Sequence, residues 1–175
     1  MTRRYGRAPR GQRAHGSAPD NPDPHVTLVM GLGLRGVVAP FCFEGGMDGN
    51  TWDQYIEHQL APCLRKGDIV VVDGLGAHRT KGSRGTVRAH RGKYWQLPGY
   101  SPDFSPVENA GGKVKELMRG EQARDRPALD RAMKKALGRV SRSDAREWFR
   151  LKGYLPPRKG RRRQKKAGPN SSGPL

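Results

Sequence analysis

From residue 25 the chain alternates short apolar runs with amphipathic stretches, and the order of the two predicts its elements. Val26-Thr27-Leu28-Val29-Met30-Gly31-Leu32 and Val37-Val38-Ala39-Pro40-Phe41-Cys42-Phe43 are apolar runs joined by Gly33-Leu34-Arg35-Gly36, a hairpin pattern. Asn50 is placed to cap a helix whose apolar positions Trp52, Tyr55, Ile56, Leu60 and Cys63 follow helical spacing, with Asp53 completing a capping-box-like pair. That helix is expected to close at Arg65-Lys66-Gly67. The β-branched run Ile69-Val70-Val71-Val72-Asp73 reads as a strand buried on both faces, with Asp73 at its carboxyl end. A Gly-rich loop, Gly74-Leu75-Gly76-Ala77-His78, leads to a short basic helix or turn over residues 84–90, then to a short strand, Tyr94-Trp95-Gln96-Leu97.

The second half is helical. Ser101-Pro102 and Ser105-Pro106 disfavour helix before each proline, whereas Pro106 suits a first helical turn and brings Glu108 into it, where the dipole favours a carboxylate. The helix from Val107 carries Ala110, Val114, Leu117 and Met118 on one side and is weakened by Gly111-Gly112, each costing about 1 kcal/mol relative to alanine. Residues 127–137 and 143–149 continue in helix, packing Leu129, Met133, Ala136, Leu137, Trp148 and Phe149.

The two ends break this pattern. Residues 1–24 are rich in Arg, Gly and Pro without periodicity and read as an extended basic arm; residues 155–175 read as a basic disordered tail. Residues 25–154 form the α/β core between them. Arg3, Arg4, Arg7, Arg10 and Arg13 in the arm, and Arg158, Lys159, Arg161, Arg162, Arg163, Lys165 and Lys166 in the tail, are expected to contact nucleic-acid phosphates. Across 175 residues there are 34 Lys and Arg against 16 Asp and Glu, a net charge of +18 that implies a polyanionic partner, nucleic acid first. Cys42 and Cys63 lack metal-ligand spacing and read as small core residues, which fits a reducing cytoplasm. The expected location is cytoplasmic, and no apolar run is long enough to span a membrane.

Asp73, at a strand end, and Glu108, at a helix start, can converge on a metal; equally, such acids can simply end a strand and cap a helix. The surrounding motif changes that balance. Val72-Asp73 followed by His78, then Leu97-Pro98-Gly99-Tyr100-Ser101-Pro102-Asp103-Phe104-Ser105-Pro106-Val107-Glu108 and Lys113-Val114-Lys115, resembles the catalytic half of DDE transposases. More narrowly it resembles the bacterial insertion-sequence branch of the mariner-like superfamily. Residues 74–107 lie between the two acids, a spacing typical of that branch.

The resemblance implies a ribonuclease-H-like α/β fold, a mixed sheet flanked by helices, that gathers three carboxylates around two Mg²⁺ or Mn²⁺ ions for cleaving and joining DNA phosphodiesters. On it, Asp73 and Glu108 are the second and third metal ligands. His78 positions the site or contacts DNA, or is an ordinary loop histidine, and Lys113 and Lys115 join the DNA-contacting set. The partners implied are DNA, a homodimer, and an upstream transposase half supplying the first aspartate and a helix-turn-helix region. In the family that aspartate precedes an Arg-Arg-Tyr-Gly-Arg-like segment, which here is residues 3–7, so the fold is expected to be N-terminally truncated and the chain alone inactive. Gly74 and Ser105 stand where the family has asparagine, and Ala110-Gly111-Gly112 replaces a bulkier stretch. The alternative is a non-catalytic basic nucleic-acid-binding protein.

Overall fold

The computed structural model describes residues 7–13, 15, 25–99 and 101–156. Tyr100 and the basic positions Arg3, Arg4, Arg158, Lys159, Arg161, Arg162, Arg163, Lys165 and Lys166 lie outside these residues. Two antiparallel strands, β1 (Val26–Gly33) and β2 (Gly36–Glu44), form the expected hairpin. Its two faces serve two cores. Val29, Val38 and Ala39 pack on a cluster of Trp52, Tyr55, Ile56, Leu60, Val72 and Val87, while Val26, Leu28, Leu32, Val37 and Cys42 pack on one of Val114, Met118, Met133, Ala136 and Val140.

Strict alternation would put Cys42 on the face opposite Val37. A bulge brings both to the same face. Between the pairs Val29↔Phe41 and Gly31↔Val38, β2 advances one residue more than β1, and Ala39 takes a left-handed φ of 48°. The extra residue also accommodates Pro40, which has no N–H for a ladder bond.

Helix α1 (Gly49–Tyr55) runs on through a π turn (Ile56–Leu60) and a 3₁₀ turn (Ala61–Cys63). Its cap is Asp48 rather than Asn50: the Asp48 side chain accepts from Thr51 N at 2.7 Å. Asp53, three residues beyond Asn50, does not close a capping box. It reaches instead across to α2 (Lys81–Ala89), accepting from Thr80 Oγ1 and, at 2.7 Å, from Ser83 N, so one carboxylate ties two helices at a helix N-terminus. Gly82 makes this possible, because a Cβ there would overlap the Asp53 carboxylate. Gly82→Ala is expected to expel Asp53 and cost roughly 1–3 kcal/mol, read as a lowered chemical-denaturation midpoint.

Strands β3 (Ile69–Val72) and β4 (Lys93–Gln96) pair in parallel, connected through α2. The reading of β3 as covered on both faces holds only at its end: Val72 is buried, but Ile69 is exposed. Among the described residues β1 pairs only with β2 and β3 only with β4. The reason β3 lacks cover is that α3 (Pro106–Glu121), α4 (Arg126–Gly138) and α5 (Arg142–Leu151) pack mainly on one another and on the hairpin. The glycine pair Gly111-Gly112 does not interrupt α3, whose Ala110, Val114 and Met118 are buried. Cys42 is half-buried, but Cys63 is exposed rather than a core residue.

Ser141 and Asp144 form a reciprocal capping box at the start of α5, and Lys113 from α3 donates to the same Asp144 at 2.6 Å. Lys113, read as a DNA contact from sequence, therefore has a structural partner. That ammonium and the Ser141 bonds hold the Asp144 carboxyl down at about 2. With the folded value below the unfolded one, the contribution is complete above the ordinary aspartate range near pH 4 and is lost as pH falls through about 2. Acid titration of thermal stability should lose this increment in wild type but not in Asp144→Asn, while Ser141→Ala should cost about 1 kcal/mol at neutral pH.

Candidate active site

Asp73 is the first residue beyond β3, where the chain leaves the pairing with β4, and the turn after it folds the carboxylate back onto its own loop. Oδ1 of Asp73 accepts from Leu75 N at 3.0 Å and from His78 Nδ1 at 2.6 Å. An ionised carboxylate can only accept here, so His78 donates through Nδ1. Among the described residues nothing engages Oδ2 of Asp73, and the side chain is 49% exposed. One oxygen is anchored and the other is free.

His78 is itself fixed from three sides. Its ring lies 3.9 Å from that of Trp52, centroid to centroid, and its carbonyl accepts from the Tyr94 hydroxyl at 2.7 Å. Trp52 Nε1 in turn donates to the Tyr94 oxygen at 3.2 Å. Burial pushes the Tyr94 hydroxyl above its ordinary range, which keeps it protonated for this role. The loop bearing Asp73 is also pressed against its neighbour: a Cβ on Gly74 would stand 2.7 Å from Gly99 Cα, so glycine is required where the family pattern has asparagine.

Glu108 enters from the other core. It occupies the first turn of α3, after Pro106, and its carboxylate is exposed and makes no hydrogen bond or ion pair among the described residues. Asp73, His78 and Glu108 line one groove of about 1410 Å³ that also takes in β1, β3 and Lys115. Lys115 is exposed and faces this groove, unlike Lys113. Arg7, Arg10 and Arg13 are exposed, the chain between them making a turn closed by Gln12 N on Pro9 O. Sequence reasoning missed Trp52 and Tyr94: helical spacing marked Trp52 only as an apolar helix position, and Tyr94 read only as part of a short strand. Among the described residues no three His, Cys, Asp or Glu side chains gather closely enough to hold an ion.

A small mixed α/β arrangement with helices on its flanks, and a carboxylate at the carboxyl end of a strand, describes a ribonuclease-H-like domain. Two solved structures share the fold: the Mos1 strand transfer complex, with a TM-score of 0.65 and 17% identity over 86% of this chain and 47% of that one, and the Mos1 mariner paired end complex with Mn, with a TM-score of 0.55 and 15% identity over 88% and 51%. The chain thus spans about half the length of the structures it matches. The model of the DDE superfamily endonuclease family matches residues 1–130, and the chain belongs to that family. No curated protein matches its sequence.

Proposed function

We propose that this chain is a transposase-type catalytic domain, cleaving and joining DNA phosphodiesters with divalent metal held in part by Asp73 and Glu108. The observation that carries the reading is the state of Asp73: one oxygen is tied to His78, the other has no partner among the described residues, and Asp73 lines the same groove as Glu108. Carboxylate oxygens are the donors that Mg²⁺ and Mn²⁺ prefer. When bound, such ions would activate the attacking hydroxyl and offset charge developing on the phosphate oxygens. Asp73 and Glu108 supply carboxylates to the groove, His78 orients Asp73, and Lys115 offers a cation to the DNA backbone.

Two carboxylates are too few to hold a metal pair tightly. We propose that a further carboxylate comes on a strand from outside the described residues, pairing between β1 and β3. The support is geometric: both strands have a free hydrogen-bonding edge, and both line the same groove. An upstream transposase segment, with its own end-recognition region, is the partner this reading favours. The arm over residues 1–24 and the tail over 155–175 then serve as phosphate-binding extensions of a core over 25–154.

The first test is Mn²⁺ binding followed by electron paramagnetic resonance. Asp73→Ala and Glu108→Ala should each weaken it, and His78→Ala should do so by about 10- to 100-fold, the usual cost of losing a residue that orients a ligand. DNA affinity in EDTA should stay the same or rise slightly. If both carboxylate substitutions left Mn²⁺ binding untouched, a non-catalytic basic DNA-binding protein would be the better description.

A further inference from the structure

A second cleft, of about 780 Å³, wraps the outer edge of β4, and its chemistry differs from that of the groove. Arg84 and Arg88 reach it from α2 and Lys93 from β4, and no carboxylate lines it. Period-two alternation along β4 turns Tyr94 into the core and Trp95 outward, where it is 55% exposed beside Tyr154. Trp95 is the register partner of Val71, on the face of β3 and β4 that the helices leave uncovered, so its indole is open to a ligand. Tyr154 is held in place by donating to the Phe104 carbonyl at 2.9 Å and by an edge contact with Phe149.

The wall is also incompletely bonded. Arg84 Nη2 donates to Gln96 Oε1 at 2.9 Å, which fixes the orientation of the amide. That orientation leaves Gln96 Nε2 buried and without an acceptor among the described residues. A buried donor without a partner costs free energy that a ligand acceptor would recover. Cations for phosphates, a flat indole for a base face and a spare amide donor for a base edge or phosphate oxygen belong to one class of ligand. In a duplex the base faces are stacked on one another, so the indole is useful only against unpaired nucleotides.

We propose that the β4 edge cleft binds single-stranded DNA, with a base stacked on Trp95 and its phosphates on Arg84, Arg88 and Lys93. The inference rests on DNA being the partner but not on metal chemistry at Asp73 and Glu108. Trp95 and Tyr154 also line the groove that holds Asp73 and Glu108, so a strand opened next to the cleavage position would reach the cleft directly from that groove.

Fluorescence anisotropy in EDTA tests it with the full chain, using an oligothymidylate of about eight nucleotides, the same backbone with abasic sites, and a duplex of equal length. Trp95→Ala should weaken oligothymidylate binding roughly 5- to 150-fold, the range for one lost stack, and leave the abasic strand and the duplex within about twofold. Trp95→Phe should restore most of the affinity. Arg88→Ala with Lys93→Ala should weaken thymidylate and abasic strands alike and flatten the salt dependence by about one unit per charge. Unchanged thymidylate binding in Trp95→Ala, or equal losses for all three probes, would overturn the proposal. Asp73→Ala supplies the separation: it should weaken Mn²⁺ binding and leave thymidylate affinity in EDTA as in wild type, so either reading can fail without the other.

Discussion

Mn²⁺-dependent nicking of supercoiled plasmid is expected only from a form of this protein in which a strand bearing a further carboxylate accompanies the 175 residues, and to vanish in that form with Asp73→Asn or Glu108→Gln. Both substitutions keep the shape of the side chain and remove its charge, so loss of cutting would report on ligation rather than on folding. Losing a residue that merely orients a ligand costs roughly 10- to 100-fold, and losing the ligand itself should cost more than about 100-fold. His78→Asn should fall in the first range, since Asp73 keeps the Leu75 amide on Oδ1. Equal nicking by the carboxylate variants and the unsubstituted form would remove Asp73 and Glu108 from the reaction. Cutting by the 175-residue chain without any added strand would show instead that the free edges of β1 and β3 require no third element.

The largest effect on stability is expected from Trp52→Ala, at roughly 3–5 kcal/mol, or a fall of about 10 °C or more in melting temperature. Trp52 is 6% exposed and belongs to the core between α1, β3 and α2. Its removal opens a cavity there, takes the ring from above His78 and leaves the Tyr94 oxygen without its indole donor. Trp52→Phe separates these contributions: it retains an aromatic face against His78 while losing the N–H, and should recover more than half of the stability. Differential scanning calorimetry at neutral pH would measure both. A Trp52→Ala variant that melts with wild type would mean that this core does not close over the Asp73 loop.

Trp52 also shows where reading the sequence stops. Its helical spacing with Tyr55, Ile56 and Leu60 marked it as core, and the residue is core; nothing local indicated that it covers His78, 26 positions away in the chain. Asp53 shows the same limit. As an acid near a helix start it was assigned to its own helix, whereas the tertiary fold gives it to the N-terminus of α2 through the space above Gly82. Lys113 looked like a free cation of a basic chain until the packing of α3 on α5 brought Asp144 against it. Which residues of β2 share a face is outside local pattern for a different reason: a bulge inserts one residue, and every side chain beyond it changes face.

What the sequence by itself determined are the features fixed within a few residues: the hairpin turn, the proline that starts α3, Asp73 at a strand end, Glu108 in a first helical turn and the positive charge of the whole. Those follow from backbone sterics, helix-end hydrogen bonding and composition, all of which act over short separations. Only the tertiary structure decided that Asp73 is held through one oxygen by His78, that Glu108 lines the same groove from the start of α3, and that among the described residues β1 pairs only with β2 and β3 only with β4 while both line that groove. Such relations depend on the path of the chain between distant residues, where packing and loop geometry choose among partners that local pattern leaves equivalent.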